Sequence, residues 1–149
     1  MATVIFKAVS RKLPEGLAVE NTVRGFTAIL DEPQASGGTD KGMNPVEATL
    51  AALGSCQCIT AAAFAKQQGI DLKDFWVVLE GDLNTDGFRH KDPAVRPGFQ
   101  EVRFTMHIKT DAAPEKVAAF QEFIEATCPV GDSLGKGVSL KPARILIEH

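Results

Sequence analysis

The run from Val46 to Gln68 constrains this chain more than any other segment, being crowded with alanine and leucine and free of proline. Asn44 suits a helix cap and Pro45 suits the first helical position, where a missing N–H costs nothing. Glu47 falls three residues after the cap, where its carboxylate can reach back to the Asn44 backbone. Gly69 closes the run, so a helix is expected over 46–68. Apolar side chains cover most of its circumference, and such a helix must be buried on several sides. Gly54, inside it, predicts close packing against a neighbouring element.

On both sides of this helix the apolar period changes to two. Val4, Phe6 and Val9, then Leu17, Val19, Val23, Phe26 and Ile29, read as strands broken near Pro14-Glu15-Gly16. Residues 31–43 are rich in Gly, Pro, Ser and Asp and read as a loop. After Gly69, Phe75, Val77 and Leu79 alternate with Trp76, Val78 and Glu80, a strand expected to be covered on both faces. Residues 84–98 are a polar loop, and Val102, Phe104, Met106 and Ile108 mark a half-buried strand. Pro114 opens a second helix with Val117, Phe120, Phe123 and Ile124 on its stripe, and Pro129 prevents its simple continuation. A terminal strand is expected over 138–147. This order gives an α+β fold with mostly antiparallel sheets around two main helices, since the crossovers of a repeated parallel fold are missing.

With 149 residues, 44% hydrophobic and 23% charged, the expectation is a single globular domain over 1–149. A net charge of -3 offers no basic face for nucleic acid. No apolar run approaches the roughly 18 residues of a membrane span, and the amino terminus lacks the order of a signal peptide. A cytoplasmic location without membrane partners is the expectation. There the three cysteines would be reduced, as packing residues, metal ligands or redox groups.

Cys56 and Cys58 fall within the long helix, and at about 100° per residue their side chains point about 200° apart. They cannot chelate one metal or pair with each other, so a zinc site with Cys128 and a histidine requires that this segment is not helical. Cys128 stands at the end of the second helix, before Pro129. If the two helices lie side by side, Cys56 and Cys128 come within disulfide range, with Cα atoms below about 7 Å. A cysteine attacks as the thiolate and needs a nearby cation. Arg24, on a strand before the glycine-rich loop, is the first candidate; Arg89 and Arg96 in the polar loop follow. The Gly37–Gly42 loop lacks phosphate-loop spacing and reads as a turn.

The stretch GGTDKGMNPVEATLAALGSC, with Cys56 twelve residues after Asn44, resembles the first-helix signature of OsmC/Ohr proteins. TCPVGDSL, around Cys128, resembles that family's second cysteine motif, and VRPGFQEVRFTMHI is similar to its connecting strand. The resemblance spans nearly the whole chain. It implies an interwoven homodimer with active sites at the subunit interface and reduction of organic hydroperoxides or hydrogen peroxide by thiols. On that reading Cys56 is the nucleophile, Cys128 the resolving thiol, Arg24 the activating cation, and Leu53 and Ile59 part of an aliphatic pocket. A lipoyl or thioredoxin-like dithiol protein would be the reductant, and no metal or organic cofactor is required. Two departures stand out, the extra thiol Cys58 and the place of the family's glutamate. Peroxidase members carry a Glu directly after Asn-Pro to hold the arginine, whereas here Val46 occupies that place and Glu47 follows. Glu47 therefore reads as a cap. The alternative function is a non-catalytic dimer that binds a small apolar ligand or senses redox state through its thiols.

Overall fold

The computed structural model describes residues 2–149. The chain divides into two compact units, residues up to Ala51 and residues from Ala52 onward.

The first unit holds three antiparallel strands in sequential order: β1 (Val9–Lys12), β2 (Val19–Val23) and β3 (Phe26–Leu30). β2 and β3 are joined by the two-residue turn Arg24-Gly25, both residues at positive φ (52° and 87°). That geometry matches the right-handed twist of the flanking strands. Arg24 thus sits at a hairpin tip rather than on a strand, with its guanidinium 5.2 Å from the Phe26 ring centroid.

Beyond β3, the carboxylate of buried Asp31 fixes the glycine-rich loop. It accepts bonds from the Glu32 and Lys41 backbone N–H groups and from both the N–H and the hydroxyl of Thr39, the last at 2.5 Å. The Thr39 hydroxyl, followed by these backbone donors, lowers the Asp31 pKa to about 2. The loop packs so tightly that a Cβ at Gly38 would lie 1.9 Å from the Glu32 carbonyl oxygen.

The capping box forms as expected. Asn44 N–H donates to Glu47 Oε2 and Glu47 N–H donates to Asn44 Oδ1, both at 2.8 Å. Helix α1 runs from Pro45 to Phe64, and irregular turns carry the chain to Gly69, which adopts φ 69°. At 20 residues α1 is long and apolar enough to resemble a membrane span, contrary to the sequence expectation. Its buried face nevertheless carries Gln57 and Thr60, as suits a core helix.

The second unit pairs β4 (Asp74–Leu83) with β5 (Phe99–Lys109) in one long antiparallel ribbon. A short helix, α2 (Thr85–Phe88), lies in the polar connection. Strict alternation sends Phe75, Val77 and Leu79 inward, so β4 is covered on one face only. On the other face Trp76 and His107 stack with centroids 4.7 Å apart. The core gathers Ala61 and Ala65 from the α1 side with Ile70 and with Phe120 and Ile124 of α3 (Pro114–Thr127). Phe64 meets Phe123 edge-on at 5.3 Å. Gly54 sits where a Cβ would lie 2.7 Å from Leu79 Cδ1, the close packing its position predicts.

Two parts of the second unit differ from the sequence reading. A fourth helix, α4 (Pro129–Lys136), follows α3 directly. The expected strand over 138–147 does not form; that segment has no regular structure and is exposed throughout. A strand needs a ladder partner, and none is offered to it among the described residues.

Candidate active site

The period of α1 assigns each cysteine its surroundings. Leu53, Gln57, Thr60 and Ala61 lie on the buried face, while Ala52, Ser55, Ile59 and Ala63 lie on the exposed one. Cys56 and Cys58 are half-buried at opposite edges of the buried face, about 200° apart. Burial pushes the Cys58 thiol pKa up, offset in part by the Val77 backbone N–H on β4. Cys56 faces α3 instead.

Cys128 is brought to it by a proline. Pro129 bars the residue before it from helical geometry, so Cys128 takes φ -67° and ψ 111° and α3 ends. The same proline suits the first position of α4, which makes Cys128 the cap of that helix. Its sulfur accepts the Gly131 N–H at 3.3 Å and lies 2.8 Å from Cys56 Sγ, toward which it donates its own proton. Cys128 is 1% exposed. Burial, and then the neighbouring Cys56, raise the Cys128 pKa, while the Gly131 N–H partly offsets them. Cys128 therefore resists losing its proton, and Cys56 is the less buried residue of the pair.

Beside Cys128 lies a cavity of about 650 Å³, within the range of small-molecule sites. Leu53, Phe99, Val102, Phe104 and Leu134 make most of its lining apolar, and Arg96, Gln100, Glu101 and Glu125 supply polar groups. Leu53 is thus on this wall. Ile59 is not, because the helical turn puts it on the solvent side of Cys56, where it is 69% exposed. Arg96 donates to the Phe99 carbonyl and also lines the cavity. Glu47 is exposed and committed to the Asn44 cap. Arg24 belongs to the first unit, at its hairpin tip. Among the described residues no cluster of three His, Cys, Asp or Glu side chains could hold a metal ion.

Gln57 escaped the sequence reading. It is 1% exposed, lines the same cavity, and its Oε1 has no hydrogen-bond partner. An unsatisfied buried acceptor costs about 1–3 kcal/mol. Its only sequence signal was its place between two cysteines, on the helix face that neither of them occupies.

Comparison with known proteins places this arrangement. The family model described as OsmC-like protein matches residues 38–143, which include both cysteines of the pair. The chain belongs to the OsmC-like family. It is 30% identical over 95 residues to a hydroperoxide reductase of Mycoplasma genitalium, covering 63% of each protein, so the match spans less than two thirds of that relative. It is 29% identical over 114 residues to the uncharacterized protein YmaD of Bacillus subtilis, covering 73% of this chain and 71% of that one. The fold is similar to that of an OsmC-like protein from Mycoplasma pneumoniae, with TM-score 0.78, 18% identity and coverage of 90% and 89%. An organic hydroperoxide resistance protein OsmC from Legionella pneumophila gives TM-score 0.66 at 21% identity, covering 90% of this chain and 91% of that one. As an OsmC-like protein the chain has the α+β architecture expected of it, with every strand pairing antiparallel.

Proposed function

We propose that this OsmC-like protein is a thiol-dependent hydroperoxide reductase in which Cys56 attacks and Cys128 resolves. The observation that carries this reading is the 2.8 Å approach of two sulfurs from separate helices. The Cys56 thiolate attacks the terminal oxygen of the peroxide and the O–O bond breaks. The alcohol-side oxygen leaves with the electron pair and takes a proton from water, leaving Cys56 as a sulfenic acid. The Cys128 thiol then condenses with it, releasing water and forming the disulfide. A dithiol protein of lipoyl or thioredoxin-like type restores both thiols by exchange.

The cation that favours the Cys56 thiolate is proposed to be Arg24, with Arg96 as the rival because it lines the cavity beside Cys128. The functional unit is proposed to be a homodimer in the cytoplasm. Its support is the apolar surface that each unit leaves open. Val4, Ile5 and Phe6 near the amino terminus are exposed, as are Leu140, Ile145, Leu146 and Ile147 near the carboxyl terminus and Ile59 on α1. Open apolar surface on this scale marks an interface.

The test is consumption of cumene hydroperoxide with a dithiol reductant. Cys56→Ser abolishes turnover, while Cys128→Ser permits a single turnover and no disulfide. An unchanged rate in Cys56→Ser overturns the mechanism. A second reading, a non-catalytic module for a small apolar ligand, is favoured by Val46 and by the apolar cavity walls. Failure to form the disulfide under stoichiometric peroxide selects it.

A further inference from the structure

We infer that Gln57 is the polar anchor of the ligand site: its side-chain amide accepts the O–H of an alkyl or aryl hydroperoxide whose apolar tail lies against Leu53, Phe99, Val102 and Phe104. This rests on the peroxidase reading and adds to it the group that orients the substrate. Three observations converge. Gln57 Oε1 is sealed from water and bonded to nothing among the described residues. The side chain lines a largely apolar cavity together with Cys128. Gln57 also follows Cys56 directly in sequence, about 100° around α1 from the sulfur that contacts Cys128. A buried acceptor without a donor is uncommon in a settled core, and such a group calls for an explanation. A ligand hydroxyl supplies the missing donor.

The assignment fits the atom balance of the reaction. The O–H accepted by Gln57 belongs to the terminal oxygen, the one that the Cys56 sulfur attacks. When the O–O bond breaks, that oxygen keeps its hydrogen and becomes the sulfenic acid O–H, so one acceptor serves both reactant and intermediate. The alkyl group leaves on the other oxygen. The apolar wall formed by Leu53, Phe99, Val102 and Phe104 offers contact to an alkyl or aryl tail that hydrogen peroxide lacks, which favours organic hydroperoxides.

The experiment compares wild type with Gln57→Met, which keeps length and removes the acceptor. With cumene hydroperoxide, kcat/KM is expected to fall roughly 3- to 10-fold, the value of one neutral hydrogen bond. The midpoint of thermal unfolding should hold or rise, because an unsatisfied polar group has left the core. An unchanged rate overturns the inference. So does a lowered melting midpoint or a lost dimer, since Gln57 would then be serving a structural partner. A parallel titration of both proteins with 2-phenyl-2-propanol, followed by NMR, separates this inference from the peroxidase reading. If wild type reduces no hydroperoxide, the peroxidase reading fails, yet alcohol binding weakened by Gln57→Met still supports the anchor. Alcohol binding that is absent, or equal in the two proteins, refutes it.

Discussion

Oxidation of the Cys56–Cys128 pair should stabilise the protein by an amount set mainly by chain length. The two residues are 72 positions apart, so the bond would close a long loop in the unfolded chain. The loop-entropy relation gives a ceiling of about 4.4 kcal/mol at 25 °C for a loop of this size. Native-state strain subtracts from it. For a chain of this length each kcal/mol moves the thermal midpoint by about 2–4 °C, so the ceiling corresponds to roughly 9–18 °C. The assay is differential scanning calorimetry at one fixed protein concentration, with excess dithiothreitol and after one equivalent of cumene hydroperoxide. Fixed concentration matters because association also shifts the midpoint. Cys56→Ser and Cys128→Ser should each abolish the difference, and Cys58→Ser should retain it. A shift that survives in Cys128→Ser, or is missing in wild type, refutes the reasoning, since peroxide would then act elsewhere or the sulfurs would not join.

Further outcomes follow from the same geometry. The Asp31 pKa is depressed, so its stabilising effect is complete above the unfolded value near 3.9 and is lost as pH falls toward about 2. Asp31→Asn should flatten acid denaturation across that window, as followed by circular dichroism. Asn44→Ala should cost about 1 kcal/mol in urea titration, whereas Glu47→Gln retains the back-bond and should leave both stability and peroxide turnover unchanged; a large loss of turnover in Glu47→Gln would make Glu47 part of the catalytic relay. Brief iodoacetamide treatment at pH 7.5 should label Cys56 before Cys128 and Cys58, whose thiols are held up by burial, with peptide mass spectrometry as the readout. Within that assay, whichever of Arg24→Met and Arg96→Met slows Cys56 labelling names the activating cation.

The parts of the fold written locally were legible in the sequence. The α1 start was readable because Asn44, Pro45 and Glu47 satisfy orphan backbone groups by their own chemistry. The period of α1 likewise separated Cys56 from Cys58. Helix α4 was not legible. It has only eight residues, two of them the poor helix formers Gly131 and Gly135, and it rests on the Cys128 cap and Pro129 rather than on propensity. The alternation after Val138 suggested a strand, but strand formation depends on a partner that sequence period does not supply. Ile59 was misplaced in the pocket because it is adjacent to Cys56 on the helix, and the exposed side of that edge was not distinguished from the buried one. Gln57 and the cavity depend on which elements meet, and no local pattern announces that.

Under the proposed mechanism, the division of labour between the two thiols would follow from where each sits, more than from any residue that acts on them. Cys56 occupies the margin of a helix face and keeps part of its surface open. Cys128 occupies a chain break, closed off at 1% exposure, with its sulfur tied to the Gly131 N–H. Burial and the neighbouring sulfur make Cys128 reluctant to lose its proton. In that mechanism the demand reverses once Cys56 is oxidised, because Cys128 would then have to attack. The Gly131 N–H is already placed to stabilise the charge that develops on its sulfur. Removing that donor by Gly131→Pro should therefore leave the first step, sulfenic acid formation, at its normal rate and slow only the condensation. Stopped-flow detection of a sulfenic acid that persists rather than decays to disulfide is the expected sign. Equal slowing of both steps would show that the cap orients the whole pair instead.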